Sequence, residues 1–176
     1  MKYILHHTYK AGLVIFIFIT LVFAENTINS NQYINYKVEV GIESITKDGE
    51  DYIISIYAVN PYDPIAGVQF KFFPEDLFTI NEVYGGRCKD KDFQIHHNES
   101  GTILGFSMVA NTLDPSNVVS GPNKLNDNIV LKIKASGNKV LEYDEEIDIM
   151  LECVFASKKG LVLESNYVPF KISQIK

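Results

Sequence analysis

The chain has 176 residues, a length that suits one domain with a sizeable core. Hydrophobic residues make up 46% and charged residues 22% of the sequence, a composition that excludes an intrinsically disordered chain. The formal net charge is −6, and it would become −8 if Lys2 and Lys10 left with an N-terminal leader. An acidic surface repels phosphate groups, so nucleic acid is not expected as a partner.

The N-terminal segment contains a nearly continuous apolar run at residues 13–24. This run is shorter than the roughly 20 residues that a bilayer-spanning helix needs. Val22 and Ala24 occupy the small-residue positions of a cleavage site before Glu25. Residues 1–24 are therefore predicted to be a secretory signal peptide, with an uncleaved N-terminal membrane anchor as the alternative. Both place the domain outside the cytosol. The polar, Asn-rich residues 25–34 are interpreted as a linker.

From Tyr36 onward, apolar residues recur at every second position, which is the pattern of half-buried β-strands. This alternation predicts nine strands, at residues 36–43, 52–59, 66–72, 78–84, 93–96, 102–108, 129–135, 147–155 and 161–172, the last bent near Pro169. Apolar spacing typical of helices is confined to the N-terminal segment. The sequence therefore predicts an all-β fold over residues 35–176. It is expected to be a single antiparallel β-sandwich of about nine strands with jelly-roll topology.

Turn-forming residues separate these strands. An Asp-Gly turn lies at residues 47–50, and two prolines at residues 60–64 remove donors that a strand would need. Residues 111–126 are rich in Pro, Asn, Ser and Gly, and they are predicted to form a long loop.

Two cysteines, Cys88 and Cys153, follow the N-terminal segment. In an oxidising compartment they could pair and close a loop of about 65 residues. They could equally be separate buried thiols, which pack like small apolar residues. Two cysteines at this spacing do not make a metal site.

Motifs of catalysis are missing from the sequence. It contains no Gly-x-Ser-x-Gly, His-Glu-x-x-His, Walker-type or Cys-x-x-Cys pattern, so an enzyme is not expected. His96 and His97 would point to opposite faces of a strand and could not chelate one ion together. The acidic clusters at 90–92 and 144–146 lack the order of an EF-hand and are interpreted as solvated turns. No cofactor or metal is expected, with a calcium ion held by sandwich loops as the alternative.

Five short phrases resemble the cohesin domain, the β-sandwich module of bacterial cellulosome scaffolds, and the wider set of cohesin-like secreted domains. They occur in the family's order, at residues 60–72 (Asn-Pro leading into Ala-Gly-Val-Gln-Phe), 74–78, 103–107 (Ile-Leu-Gly-Phe-Ser), 129–135 and 154–160. The resemblance covers about residues 36–173 and implies a non-catalytic binding module. Cohesins bind dockerins, and relatives of the same sandwich bind polysaccharides. Since one module is recognised without a dockerin or second cohesin, the protein partner is expected to be dockerin-like or of another kind.

Strand parity predicts which residues would meet that partner. If Phe70 and Phe72 point inward, Gln69 and Lys71 point outward. If Leu104 and Phe106 point inward, their neighbours point outward, beside the polar residues of the preceding strand. The predicted partner-binding residues are Gln69, Lys71, Gln94, His96, Ile103 and Ser107. The strands that carry them resemble those of the partner-binding face in cohesins. An ordinary solvated face is the alternative.

Other functions stay open at this point. Carbohydrate binding would use exposed aromatic rings, for which Tyr33, Tyr62 and Tyr84 are the candidates, since the sequence has no Trp. Asn98 begins a sequon, Asn-Glu-Ser, on a predicted hairpin tip and could carry an N-linked glycan. A structural protein that assembles on a cell or particle surface is a third possibility, for which self-association would be the sign.

Overall fold

Alternating side chains build ten strands in the computed structural model, which describes residues 37–75, 77–98, 101–116, 126–137 and 148–176. The strands are β1 (Lys37–Asp48), β2 (Asp51–Val59), β3 (Ile65–Phe73), β4 (Phe78–Tyr84), β5 (Gln94–His97), β6 (Thr102–Phe106), β7 (Ile129–Gly137), β8 (Asp148–Ser157), β9 (Val162–Val168) and β10 (Phe170–Lys171). Each of the nine predicted strands has a counterpart within a few residues, and the last is interrupted at Pro169 as expected. The predicted leader and linker, Tyr33 and the acidic cluster at 144–146 lie outside the described residues.

The strands form two sheets. Sheet A has the order β4-β7-β2-β1-β9, and sheet B has the order β8-β3-β6-β5, with β10 beside β8. β9 joins both: Leu163 pairs with Phe155 of β8, whereas Glu164–Val168 pairs with β1. The sandwich is therefore nearly closed along one side by a strand that crosses between its sheets.

The prediction of an entirely antiparallel sandwich is wrong at one pair. β9 runs parallel to β1 over Lys37–Gly41, whereas every other strand pair is antiparallel among the described residues. The reason is topological. β9 leaves β8 through a hairpin and then crosses to sheet A, where it lies beside the first strand rather than its own hairpin partner.

The core lies between the sheets and is dominated by Phe, Ile, Leu and Val. Phe70 of β3 packs edge-to-face on Phe155 of β8, with ring centroids 5.7 Å apart. Phe72 meets Phe78 of the opposite sheet in the same way, at 5.8 Å. Edge-to-face pairs stabilise beyond their burial, by about 0.5–1.5 kcal/mol each. The first contact joins two neighbouring strands of sheet B, and the second packs sheet B against sheet A.

One helix, α1 (Gly86–Asp90), was not predicted, because five residues are too few to show a helical period. It packs on β7 at one end of the sandwich. Gly86 has φ +62°, and a Cβ built there would lie 2.5 Å from the carbonyl oxygen of Val130. Only glycine permits both this backbone conformation and this close approach.

Arg87 of α1 ties the loops at this end together. Its guanidinium donates to the carbonyl oxygen of Ala58 at 3.0 Å and to Asn60 Oδ1 at 3.1 Å. It also donates to Ser116 Oγ and to the carbonyl oxygen of Asp114. Asn60 is almost fully buried, and it also donates from Nδ2 to the carbonyl oxygen of Asp63. These bonds satisfy the buried amide of Asn60 and tie three connections together, whereas Asp63 Oδ2 in the same β2–β3 loop is buried without a hydrogen-bond partner among the described residues.

Candidate partner-binding face

The outer face of sheet B is built by cross-strand pairing of β8, β3, β6 and β5. His96 lies opposite Leu104, Leu104 opposite Gln69, and Gln69 opposite Val154. Because directly paired residues point to the same side of a sheet, these four side chains form one row across the outer surface. The outward-facing side chains of these four strands include Gln69, Lys71, Phe73, Gln94, His96, Thr102, Leu104, Phe106, Met150, Glu152, Val154 and Ala156.

The predicted orientation of β6 is wrong. Ile103 is completely buried, whereas Leu104 is 43% exposed, so Ile103 faces the core and cannot be a contact residue. Gly105 explains the wrong prediction, because it also faces inward but lacks the apolar side chain by which an inward position is recognised in the sequence. A Cβ on Gly105 would lie 2.6 Å from Ile95 Cδ1 and 2.9 Å from Val68 Cγ2. With that inward position empty, the apolar pattern of β6 fits either parity.

Ser107 was predicted on the same face and instead follows the end of β6. Its Oγ accepts hydrogen bonds from the backbone N–H groups of Val109 (3.3 Å) and Asn111 (3.2 Å). The side chain therefore stabilises a turn. The other four predicted residues do point outward from sheet B: Gln69, Gln94 and His96 are exposed, and Lys71 is half-buried.

The centre of this face is more apolar than the sequence suggested. Leu104 and Met150 are 43% and 42% exposed, and Phe106, Val154 and Phe73 are half-buried. None of these five residues was predicted from the sequence to face outward. The pattern of β8 could have revealed them, because Met150, Glu152 and Val154 are alternate residues of one strand and therefore point to the same side of the sheet.

Polar and charged side chains lie among these apolar ones, since the row of Lys71 and Glu152 separates Met150 from the row of Leu104. Lys71 Nζ lies 2.7 Å from Glu75 Oε1 and 5.2 Å from the centroid of the Phe73 ring. Glu152 is exposed and lies directly opposite Lys71 in the register of β8 with β3. Exposed ion pairs add little stability, so these charges contribute little to folding.

The outer face of sheet A has a different character. Asp51 accepts hydrogen bonds from Ser136 Oγ at 2.9 Å and from Asn81 Nδ2 at 3.1 Å, and it lies 3.3 Å from Lys134 Nζ. The hydrogen bond from Ser136, followed by that of Lys134, lowers the pKa of the Asp51 carboxyl. Polar groups on this part of the face pair with one another, as is typical of a solvated surface.

The carbohydrate candidates do not form a row in the described part of the chain. Tyr62 is 72% exposed in the β2–β3 loop, Tyr84 is 36% exposed at the end of β4, and Tyr33 lies outside the described residues. Asn98 is exposed at the turn after β5, where its Oδ1 accepts from the backbone N–H of Thr102 at 2.9 Å. The rest of its sequon, residues 99–100, is not described.

Both cysteines are free thiols. Cys88 is buried in α1 and Cys153 is half-buried in β8, so the disulfide alternative is not formed. Burial raises the pKa of each thiol to about 12. Such thiols are poor nucleophiles at neutral pH.

Neither a metal cluster nor a membrane helix is found in the described part of the chain. No group of three or more His, Cys, Asp and Glu side chains is placed to hold an ion. Within the same ranges, no helix combines the length and apolar character that crossing a bilayer requires.

Comparison with solved structures finds cohesins. A Clostridium thermocellum cohesin, from a type I cohesin–dockerin complex, has a TM-score of 0.51 at 12% identity and covers 81% of this chain and 96% of that one. The third ScaB cohesin of R. flavefaciens, in complex with a group 1 dockerin, gives 0.51 at 14% identity, with coverages of 82% and 97%. A non-cellulosomal cohesin from the archaeon Archaeoglobus fulgidus has a TM-score of 0.50 at 10% identity and covers 80% of this chain and 91% of that one.

No protein-family model matches the sequence, and no curated protein matches it either. The similarity to cohesins is therefore a similarity of fold. The arrangement of strands is that of a cohesin-like β-sandwich, as the five sequence phrases predicted.

Proposed function

We propose that this protein is a non-catalytic binding module that recognises a protein partner through the outer face of sheet B. The observation that carries the proposal is the exposure of Leu104 and Met150 on a flat sheet surface, beside half-buried Phe106 and Val154. Apolar side chains on such a surface gain free energy when a partner removes them from water.

The composition of this face suits a protein rather than a small ligand. Interface centres are enriched in aromatic residues and Met and depleted of charge, with polar residues at the rim. Here Phe106 and Met150 supply such side chains, and the polar residues Lys71, Glu152 and Gln94 lie among the apolar positions of the face. Small-molecule sites are concave, whereas these side chains project from paired strands.

The similar structures support the same class of partner. The C. thermocellum and R. flavefaciens cohesins are both in complex with dockerins. The four strands of sheet B resemble those that form the partner-binding face in cohesins. A dockerin-like protein is therefore the first candidate partner, and a protein of another kind is the second.

We place this activity outside the cell, at the cell surface or in the medium. The proposal rests on the apolar run at residues 13–24 and on the small residues Val22 and Ala24 at its end, which have the character of a secretory signal.

A capture experiment tests the proposal. Residues 25–176, which contain the whole compact unit of residues 35–176, are immobilised through the C-terminus and exposed to secreted proteins of the source organism. The expected result is one protein bound at 1:1 and lost when Leu104 and Met150 are both replaced by Asp. As the matched control, Lys132→Glu and Glu164→Lys change exposed residues of sheet A. Loss of binding in the control instead, with the Asp variant still bound, would overturn the proposal.

The same experiment distinguishes the two other functions. Retention on an insoluble polysaccharide that depends on Tyr62, the most exposed of the candidate tyrosines, would indicate a carbohydrate-binding module. A mass that rises with concentration and falls back with the Leu104 and Met150 substitutions would indicate a self-assembling structural protein.

A further inference from the structure

Five strongly exposed apolar side chains gather at one end of the sandwich. Tyr62, Met108, Val109, Leu161 and Val162 are 72%, 69%, 71%, 57% and 60% exposed. They belong to three separate connections: the β2–β3 loop, the segment after β6 and the β8–β9 hairpin. We call this set the apolar tip.

Strand register places these connections at the same end. Gly67, near the start of β3, pairs with both Phe106 and Ala156, which lie near the ends of β6 and β8. Ala156 in turn pairs with Val162 at the start of β9. Tyr62 lies three residues before β3 begins. The residues of the apolar tip therefore lie at the same end of the sandwich, on neighbouring connections.

Hydrogen bonds hold the segment after β6 in place. After β6, Ser107 Oγ accepts from the N–H groups of Val109 and Asn111, and Ala110 N–H donates to the Ser107 carbonyl oxygen at 3.3 Å. Ala110 has φ +59°, which is strained for a residue with a side chain. The turn therefore keeps Met108 and Val109 exposed at a conformational cost.

The β8–β9 hairpin is built in a similar way. Ser157 N–H donates to the carbonyl oxygen of Leu161 at 2.8 Å, and Leu161 N–H donates to Ser157 Oγ at 3.1 Å. Lys158 and Lys159 are exposed in the same turn. Two cationic side chains thus precede two exposed apolar ones.

The chain that precedes β1 joins the domain at this end. Lys37, the first residue of β1, pairs with Glu164, two residues after Val162. Residues 25–36 separate it from the apolar run at 13–24, and twelve residues reach at most about 40 Å. If that run stays in a membrane, the apolar tip is held close to the bilayer surface.

We propose that the apolar tip docks on the surface of an anionic lipid bilayer. Met108, Val109, Leu161 and Val162 enter the headgroup region, Lys158 and Lys159 lie at the lipid phosphates, and Tyr62 lies at the interface. Apolar insertion combined with nearby basic residues is the usual composition of a peripheral membrane contact, and Tyr is enriched at bilayer interfaces. Of the acidic side chains near the tip, Asp114 is ion-paired with Lys91, Asp63 is half-buried, and Glu164 is exposed on β9.

The shape of the tip distinguishes it from the outer face of sheet B. That face is flat, with Leu104 and Met150 little more than 40% exposed. The tip consists of separate turns whose side chains are 57–72% exposed, a form that enters a soft lipid surface more readily than it complements a rigid protein. The inference is independent of the partner proposed above.

Vesicle sedimentation with residues 25–176 tests the tip without the N-terminal apolar run. The vesicles are phosphatidylcholine alone or phosphatidylcholine with 40% phosphatidylserine. Wild-type protein is expected to sediment with the anionic vesicles, and replacing Met108 and Val109 by Ser is expected to weaken partitioning at least tenfold. Lys158→Gln with Lys159→Gln is expected to weaken it by about tenfold or more on anionic vesicles and to leave it unchanged on neutral ones.

The matched control is Leu104→Ser with Met150→Ser, which removes exposed apolar groups from the sheet B face and is expected to change vesicle partitioning less than twofold. Thermal unfolding of each variant verifies that it is folded. The proposal is overturned if wild-type protein stays in the supernatant, or if vesicle partitioning falls as much in the control as in the variant with Met108 and Val109 replaced. It is also overturned if the tip variant abolishes self-association instead of vesicle binding.

Discussion

The imidazole ring of His96 lies against the ring of Phe106, with centroids 6.0 Å apart and planes inclined by 27°. The register makes the two residues diagonal neighbours, since Phe106 pairs with Gln94 and His96 pairs with Leu104. Diagonal positions lie on the same side of a sheet. The two rings therefore form a platform on the outer face of sheet B, next to the exposed Leu104.

This platform should contribute to partner binding. Phe106→Ala removes the ring on which His96 rests, and it is expected to weaken binding of the captured partner by about tenfold or more, as for aromatic residues at interface centres. Surface plasmon resonance measures the change. Tyr84→Ala removes a comparably exposed ring at the end of β4 and serves as the control. Equal losses in the two variants would contradict a specific role for the platform.

Stability measurements can verify the orientation of β6. Ile103→Ala is expected to lower the free energy of unfolding by about 2–5 kcal/mol, because it leaves a cavity in the core. Leu104→Ala is expected to cost less than about 1 kcal/mol, because that side chain is largely in water. Urea denaturation of both variants gives the comparison. The reverse order would mean that the strand faces the other way.

Removing the Arg87 side chain should destabilise the end of the sandwich. Arg87→Met removes the guanidinium donor from the carbonyl oxygen of Ala58 and from Asn60 Oδ1, which keeps only the Ser116 hydroxyl, and the expected loss is about 2–4 kcal/mol of unfolding free energy. Lys91→Met, which breaks only an exposed ion pair with Asp114, is expected to cost less than about 1 kcal/mol. Chemical denaturation distinguishes the two. A mild Arg87→Met phenotype would show that water replaces the guanidinium.

Glycine substitutions test the contact between α1 and β7. Gly86→Ala places a methyl group against the carbonyl oxygen of Val130, so a large fall in the thermal unfolding midpoint is expected. Gly49→Ala has a similar φ of +67° but meets open space, so it is expected to show only the backbone cost of about 1–2 kcal/mol. Similar midpoints for the two variants would argue against the close approach.

Alkaline pH should destabilise the protein through its thiols. Burial raises the pKa of Cys88 and Cys153 to about 12 from an ordinary value of 9.0. The folded state therefore holds these protons more tightly than the unfolded state. This stabilisation is complete below pH 9 and is lost as the pH rises from 9 towards 12. Burial also raises the pKa of Tyr57, to about 12, which adds to the same slope.

The measurement is the urea midpoint as a function of pH for wild type and Cys88→Ala. A shallower decline above pH 9 is expected in the variant, and an unchanged decline would contradict the role of Cys88. A thiol-reactive dye at pH 8 should react slowly with native protein and label two thiols per chain after unfolding. One or no labelled thiol, with two recovered after reduction, would reveal a disulfide instead.

Strand positions could be predicted from the sequence because alternation has a strong local signal. β4 was located at residues 78–84, as observed, and the break at Pro169 follows from its missing donor. The crossing of β9 to lie parallel to β1 could not be predicted, because strand partners depend on tertiary packing. The five-residue α1 was also missed, since its position depends on Gly86 and on the network around Arg87.

The candidate site could be predicted only in part. Gln69 and Lys71 were assigned correctly to the outer face of sheet B because β3 has bulky inward residues that fix its parity. β6 was reversed, because Gly105 removes the inward side chain that would have fixed its parity and its outward positions are apolar too. When the outward positions of a strand are apolar too, alternation no longer shows which side faces the core, and it is this apolar outer face that we propose as the binding surface.

Binding of a protein partner to the outer face of sheet B can be measured by isothermal titration of the captured partner with Leu104→Asp, compared with Lys132→Glu on sheet A. We expect Leu104→Asp to weaken binding at least about thirtyfold while the protein stays folded, and Lys132→Glu to change it less than twofold. Full affinity in Leu104→Asp, with loss in Lys132→Glu, would contradict this account.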